Sequence, residues 1–141
     1  MTSPTKTTTA KPQIVNPPQL HDPTPHGYST AVIVPAGARL AFVSGQGAHD
    51  RTGKLSPDFA KQVAQGYANL GAALEGLGAR PDQVAKLTVF VVDHDMSKLG
   101  ALTENVTRMF ADRLPAQTLV PVPKLAVDGM LFEVEAVVLL A

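Results

Sequence analysis

The run Val84-Ala85-Lys86-Leu87-Thr88-Val89-Phe90-Val91-Val92 constrains the fold more than any other stretch of this chain. Only Lys86 and Thr88 interrupt it. Its apolar side chains fall on both faces of an extended backbone, and most are β-branched or aromatic. A strand of this kind belongs in the interior of a sheet with neighbours on both edges. The rest of the chain must supply those neighbours and the layer that covers them.

Candidate neighbours are readable on either side. Ala31-Val32-Ile33-Val34 predicts a short strand, Pro35-Ala36-Gly37-Ala38 a turn, and Leu40-Ala41-Phe42-Val43-Ser44 the returning strand of a hairpin. Thr118-Leu119-Val120-Pro121-Val122 predicts a strand at an edge or with a bulge, because Pro121 and Pro123 lack an amide donor. Asp128-Gly129 turns into a last strand, Met130 to Leu140. Two helical stripes supply the cover. Phe59, Val63, Tyr67, Leu70, Leu74 and Leu77 recur at helical spacing, with Ser56 as the expected cap, Pro57 at the first position, and Gly76 and Gly78 as stop signals. Leu99, Leu102, Val106, Met109 and Phe110 make the second stripe. The order is β-β-α-β-α-β-β, an α+β class.

Two helices cover only one face of such a sheet. The last strand nevertheless carries Phe132, Val134, Ala136 and Val138 on one side, and Leu131, Glu133, Glu135 and Val137 on the other. An uncovered apolar face of that size signals an interface. The reading taken is an oligomer; the alternative is that the proline-rich N-terminal tail or a loop folds over the open face.

The chain has 141 residues and reads as one domain, with 45% hydrophobic residues to build its core. Residues 1–20, rich in Thr, Pro and Lys, are read as a mobile tail and 21–141 as the domain. Lys+Arg and Asp+Glu are both 12, so no net field favours nucleic acid or an anionic membrane. No apolar run reaches the roughly 20 residues of a membrane helix, and no apolar signal core opens the chain, so the cytoplasm is the expected compartment. Without cysteine there is no disulfide, thiolate zinc site or Cys nucleophile. His49-Asp50 and His94-Asp95 resemble metal-ligand or acid–base pairs. Sequence neighbours seldom converge on one metal, and both pairs sit in turns, so no metal or cofactor is expected and His94 is read as a pocket residue.

Glu133 and Glu135 are two apart on a strand, so their side chains share a face roughly 6.5–7 Å apart along the backbone. Buried at an interface, such a pair resists double ionisation, and one carboxyl becomes a candidate general base for water or acid for a leaving amine. Solvent exposure, or an ion pair with Lys86, Lys124 or Arg39, is the bland alternative. Ser44-Gly45 at a strand end could offer a backbone amide to an anion or carbonyl, or be an ordinary strand exit.

Several short pieces, taken in order, resemble the Rid family of small trimeric imine and enamine deaminases. They are Gly27-Tyr28-Ser29, Phe42-Val43-Ser44-Gly45-Gln46, Thr52-Gly53, Asn69-Leu70, Lys86 to Val91, Leu114-Pro115-Ala116, Leu125-Ala126 and Glu133-Val134-Glu135-Ala136. The resemblance spans Tyr28 to Val137. It implies a chorismate-mutase-like fold, a mixed sheet with two helices on one face, and a homotrimer whose sheets form a central barrel. It implies active sites in clefts between subunits and places Tyr28, Ser44, Gly45, Gln117, Leu119 and Glu133 there, Glu133 as the group that orients water. Deaminating members carry an arginine after Pro-Ala that grips the substrate carboxylate; this chain has Gln117, a neutral amide. Leu119 stands where the family often has Cys. Both departures argue against 2-aminoacrylate as substrate. The expected function is therefore a Rid-like hydrolase or deaminase of another small imine or enamine. The alternative is a non-catalytic small-molecule-binding or chaperone-like trimer. A nuclease or translation-inhibiting role, attributed to some relatives, is opposed by the balanced charge and the lack of a basic stripe.

Overall fold

A computed structural model describes residues 11–140. Among them, β1 (Gln13–Val15) pairs antiparallel with β2 (Ala31–Ile33) in a small separate sheet. The main sheet is built from β3 (Arg39–Gln46), β4 (Val84–Val92), β5 (Ala116–Val122) and β6 (Phe132–Leu140), in the order β3-β6-β4-β5. Only the β4–β5 pair is parallel, as the intervening helix requires. The apolar run at 84–92 is thus an interior strand, and the proline-bearing β5 is an edge, as their compositions predict.

α1 (Phe59–Gly76) and α2 (Leu99–Phe110) pack together on one face of this sheet. Their buried stripe of Val63, Tyr67, Leu70, Leu74, Leu102, Val106 and Phe110 meets the sheet's inner rows, Leu87, Val89 and Val91 with Phe132, Val134, Ala136 and Val138. Gly66 makes this approach possible, since a β-carbon there would lie 2.6 Å from the Phe132 ring. The architecture is α+β and chorismate-mutase-like.

Four expectations need correction. The expected hairpin splits. Its turn forms, with Gly37 at φ +77 and the Ala38 amide bonded to the Pro35 carbonyl at 3.3 Å, but the two strands enter different sheets. β2 takes β1 as partner, so part of the segment read as a tail is a strand; residues 1–10 of that tail lie outside the described residues. The α1 cap is Asp58 rather than Ser56. Asp58 accepts from the Lys61 amide at 3.0 Å, while Ser56 Oγ accepts from the Asp58 amide one step earlier. The last strand begins at Phe132, two residues later than expected. At its other end α1 stops as read: Gly78 at φ +69 donates to Glu75, and Ala79 donates back to Leu74.

Candidate functional site

The sheet face away from the helices carries Leu40, Phe42, Phe90, Glu133, Glu135 and Val137. Phe42 is 77% exposed. On this face β3 bulges. Val43 pairs with Ala136 and Gln46 with Val134, so Ser44 and Gly45 together stand opposite the single residue Glu135. Gln46 Nε2 donates to the Ser44 carbonyl at 3.0 Å, which clamps the bulge.

Glu133, in register with Phe90, lays its carboxylate against this bulge. A β-carbon on Gly45 would fall 1.7 Å from Glu133 Oε1 and 2.5 Å from its carboxyl carbon. Glycine at 45 is therefore what leaves room for the acid. Ser44, Gly45 and Glu133 thus come together as one cluster. Lys86, a candidate ion-pair partner, instead donates to Thr118 Oγ1 at 2.8 Å.

A second cluster forms at the start of β5. Ser29 is buried; its amide donates to the Pro115 carbonyl at 2.9 Å and its hydroxyl to the Leu114 carbonyl at 2.6 Å. These bonds hold Tyr28 beside β5. The Tyr28 hydroxyl shares a hydrogen bond with His21 Nε2 at 3.1 Å. Gln117 lies in the cross-sheet row Gln117–Leu87–Ala136, on the helix side, and Leu119, opposite Val89, packs against the core. The Gln117 Oε1 atom is buried with no hydrogen-bond partner.

Within one chain the two clusters face opposite sides of the sheet. Glu133 aligns with the outward Phe90, Gln117 with the inward Leu87. His94 joins neither directly. It follows the end of β4, half-buried, with Nδ1 unpartnered.

The two aspartates beside histidines serve their own turns. Asp50 accepts from the Thr52 hydroxyl at 2.6 Å and from the amides of Thr52 and Lys54; Asp95 accepts from the Ser97 hydroxyl and amide. In both, the side-chain hydroxyl first and then the amides hold the carboxyl below its ordinary value. Among the described residues no group of three or more His, Asp or Glu could hold a metal ion, and no helix is long and apolar enough to cross a membrane.

Sequence reasoning missed two positioning residues. Fully buried Gln62 donates to the carbonyls of Ser56 (2.7 Å) and Gly129 (2.8 Å) and accepts from the Leu131 amide (2.8 Å). It fixes where β6 begins, and so the phase that turns Glu133 outward. Asn69 donates to the carbonyls of Gly47 and His49 at 2.8 and 2.9 Å, anchoring the exit of the bulged strand. The signal for both was a polar residue on or beside an apolar stripe.

This fold and order of motifs match a known family. The family model described as Endoribonuclease L-PSP matches residues 20–140. The chain belongs to this family, whose members are also named Rid and RutC proteins. A RutC family protein of Aquifex aeolicus is 35% identical over 111 residues, covering 76% of this chain and 85% of that one. The RutC family protein UK114 of Drosophila melanogaster is 34% identical over 114 residues, 79% of this chain and 78% of its own. Among solved structures, a Rid family protein of unknown function from Yersinia pestis superimposes with a TM-score of 0.88 at 30% identity, covering 93% of this chain and 100% of the other. RidA from an Antarctic Psychrobacter gives 0.66 at 29% identity, over 80% and 88% of the two chains. The Rid resemblance of the individual sequence pieces therefore extends to the whole fold.

Proposed function

We propose that this protein is a Rid-type hydrolase of a small imine or enamine that carries no carboxylate, working in clefts between the subunits of a homotrimer. Glu133 is the catalytic residue. Its carboxylate takes a proton from water as the water oxygen adds to the imine carbon. That proton goes to the nitrogen to give a carbinolamine. Glu133 then carries the carbinolamine's hydroxyl proton to the same nitrogen as the carbon–oxygen double bond forms and the carbon–nitrogen bond breaks, leaving a carbonyl product and ammonia. Tyr28, Ser44, Gly45, His94, Gln117 and Leu119 shape the substrate pocket.

The observation that carries this reading is the division of the site into two incomplete halves. Glu133 and the bulge are on an open apolar face, and Gln117 is on the edge strand with its carbonyl oxygen unpartnered. Each half lacks what a neighbouring copy's other half could supply. A neutral amide at 117 can hydrogen-bond a substrate but gives no charge to a carboxylate, and the charge-assisted fork it replaces is roughly twice as strong as a neutral pair. The test is ammonia release from freshly generated imines with and without a carboxylate, in the parent and in Glu133→Ala. Turnover of the uncharged imine that disappears in the variant supports the reading. Equal turnover in both proteins removes Glu133 from the chemistry, and binding without turnover leaves a small-molecule-binding trimer.

A further inference from the structure

The helical layer, on the opposite side of the sheet from Glu133, contains a groove that the proposed chemistry does not use. It lies between α1 and α2, encloses about 250 Å³, and is lined by Ala64, Tyr67 and Ala68 from α1 and Asn105, Arg108 and Met109 from α2. That volume equals roughly eight water molecules at about 30 Å³ each, the size of one substituted six-membered ring. The two alanines, one helical turn apart, leave the space open.

Tyr67 is the unusual member. It is 5% exposed, its ring packs on Phe132 with centroids 5.5 Å apart, and its hydroxyl is buried without a hydrogen-bond partner. A buried hydroxyl left unsatisfied is destabilising, and native structures rarely keep one without a reason. Burial also pushes the phenol's ionisation up, so the group stays a neutral donor. The other polar groups around the groove already have partners. Asn105 uses its Nδ2 on the Ala101 carbonyl at 2.8 Å, and its Oδ1 already faces Arg108 at 3.4 Å. Arg108 is paired with Glu104 at 2.7 Å, but both side chains are more than 60% exposed, and exposed pairs of this kind hold weakly.

Apolar walls, a neutral phenol donor and a guanidinium call for a ligand with a compact apolar body and an anionic acceptor. We infer that the α1–α2 groove is a second binding site, for small aromatic or branched carboxylates. The apolar part lies over Ala64, Ala68 and Met109, and the carboxylate exchanges with Glu104 at Arg108 and takes the Tyr67 hydroxyl, which is buried in the empty groove and is uncovered by a side-chain movement as the ligand enters. The inference is independent of the reading of the Glu133 site.

The chain has two tyrosines, Tyr28 and Tyr67, so Tyr28→Phe leaves Tyr67 as the sole tyrosine signal. The experiment titrates benzoate into full-length Tyr28→Phe protein with ring-labelled tyrosine and follows the Tyr67 resonances by NMR. A saturable shift is expected. Arg108→Gln should weaken it by roughly tenfold, the loss of one charge-assisted contact. Ala68→Leu should abolish it while the amide spectrum stays folded. Thermal melts add a second readout without ligand. Tyr67→Phe should melt at or above the parent temperature, because it removes an unsatisfied group, and should lose the upward shift that benzoate gives the parent. No saturable shift, or the same affinity in Arg108→Gln and Ala68→Leu, overturns the site. A markedly lower melting temperature in Tyr67→Phe also overturns it, since the hydroxyl would then already have a partner inside the fold.

Discussion

The carboxylate of Glu133 fills the volume in which a side chain on Gly45 would begin; a β-carbon there would lie 1.7 Å from Oε1. The clash is with the end of a flexible chain, so Glu133 can swing away. Gly45→Ala should therefore fold, with stability changed by about 1 kcal/mol or less, while imine turnover falls to the level of Glu133→Ala. Gly66→Ala makes the contrast. Its β-carbon would meet the buried Phe132 ring at 2.6 Å, which has nowhere to go. Overpacking there should cost about 1–3 kcal/mol. Urea melts and turnover of both variants separate the two cases; a Gly45→Ala enzyme with parent activity would show that the seat against the bulge is irrelevant to chemistry.

In the proposed cleft, position 117 sets substrate charge. Gln117→Arg should raise activity toward a carboxylated enamine such as 2-aminoacrylate, or its imine tautomer, by about tenfold to a hundredfold, the worth of a bond to a charged group of roughly 1.5–3 kcal/mol. Imines without a carboxylate should be unaffected or slower. Keto-acid release from freshly generated imine measures the first. Strong parent activity on the carboxylated imine would mean that another cation serves the cleft.

The proposed assembly rests on the open face. Light scattering should give about three times the 14.8 kDa chain mass. Phe42 is exposed in the single chain, so Phe42→Asp should leave the far-ultraviolet dichroism of the subunit intact. In a closed assembly it buries an unpaired charge, at a cost of about 3–5 kcal/mol per site, and should give monomers. A variant that stays assembled would move the interface elsewhere.

Acid should loosen the turns beside the histidines before it unfolds the domain. The folded carboxyls of Asp50 and Asp95 titrate below their ordinary values because the Thr52 and Ser97 hydroxyls and nearby amides bond the ionised form. A depressed folded pKa gives stabilisation that is complete above the unfolded value, about 3.9, and is lost as pH falls through the folded one. The Ser97 amide resonance should follow Asp95 with a midpoint below 3.8, and Asp95→Asn should remove that titration. A midpoint at or above the ordinary value would contradict the hydrogen-bonded turn.

The main architecture was legible because its signals are long and redundant. Nine residues at 84–92 mark an interior strand, Pro121 and Pro123 mark an edge, and six spaced apolar residues from Phe59 to Leu77 mark a helix. What was hidden depends on single residues or distant partners. β1 is three residues among prolines, with no periodicity of its own; only its pairing to Ala31–Ile33 makes it a strand. The helix cap moved by two positions because Ser56, Pro57 and Asp58 all suit a helix start and local hydrogen bonds decide among them. In the candidate site, Glu133 and Gly45 were each readable as separate residues. Their contact was not, because it depends on an extra residue in β3 that shifts the register between Val43 and Gln46.

The prolines of β5 have a consequence for growth as well as for placement. An outer strand with free amides is a template on which a further chain can add by backbone pairing, and repeated addition makes fibrils. Pro121 within β5 and Pro123 just after it remove donors from that template. Strand-by-strand extension along this border is thereby disfavoured, and a closed assembly of the kind proposed would instead use contacts made by side chains, which can close on themselves and stop at a fixed number.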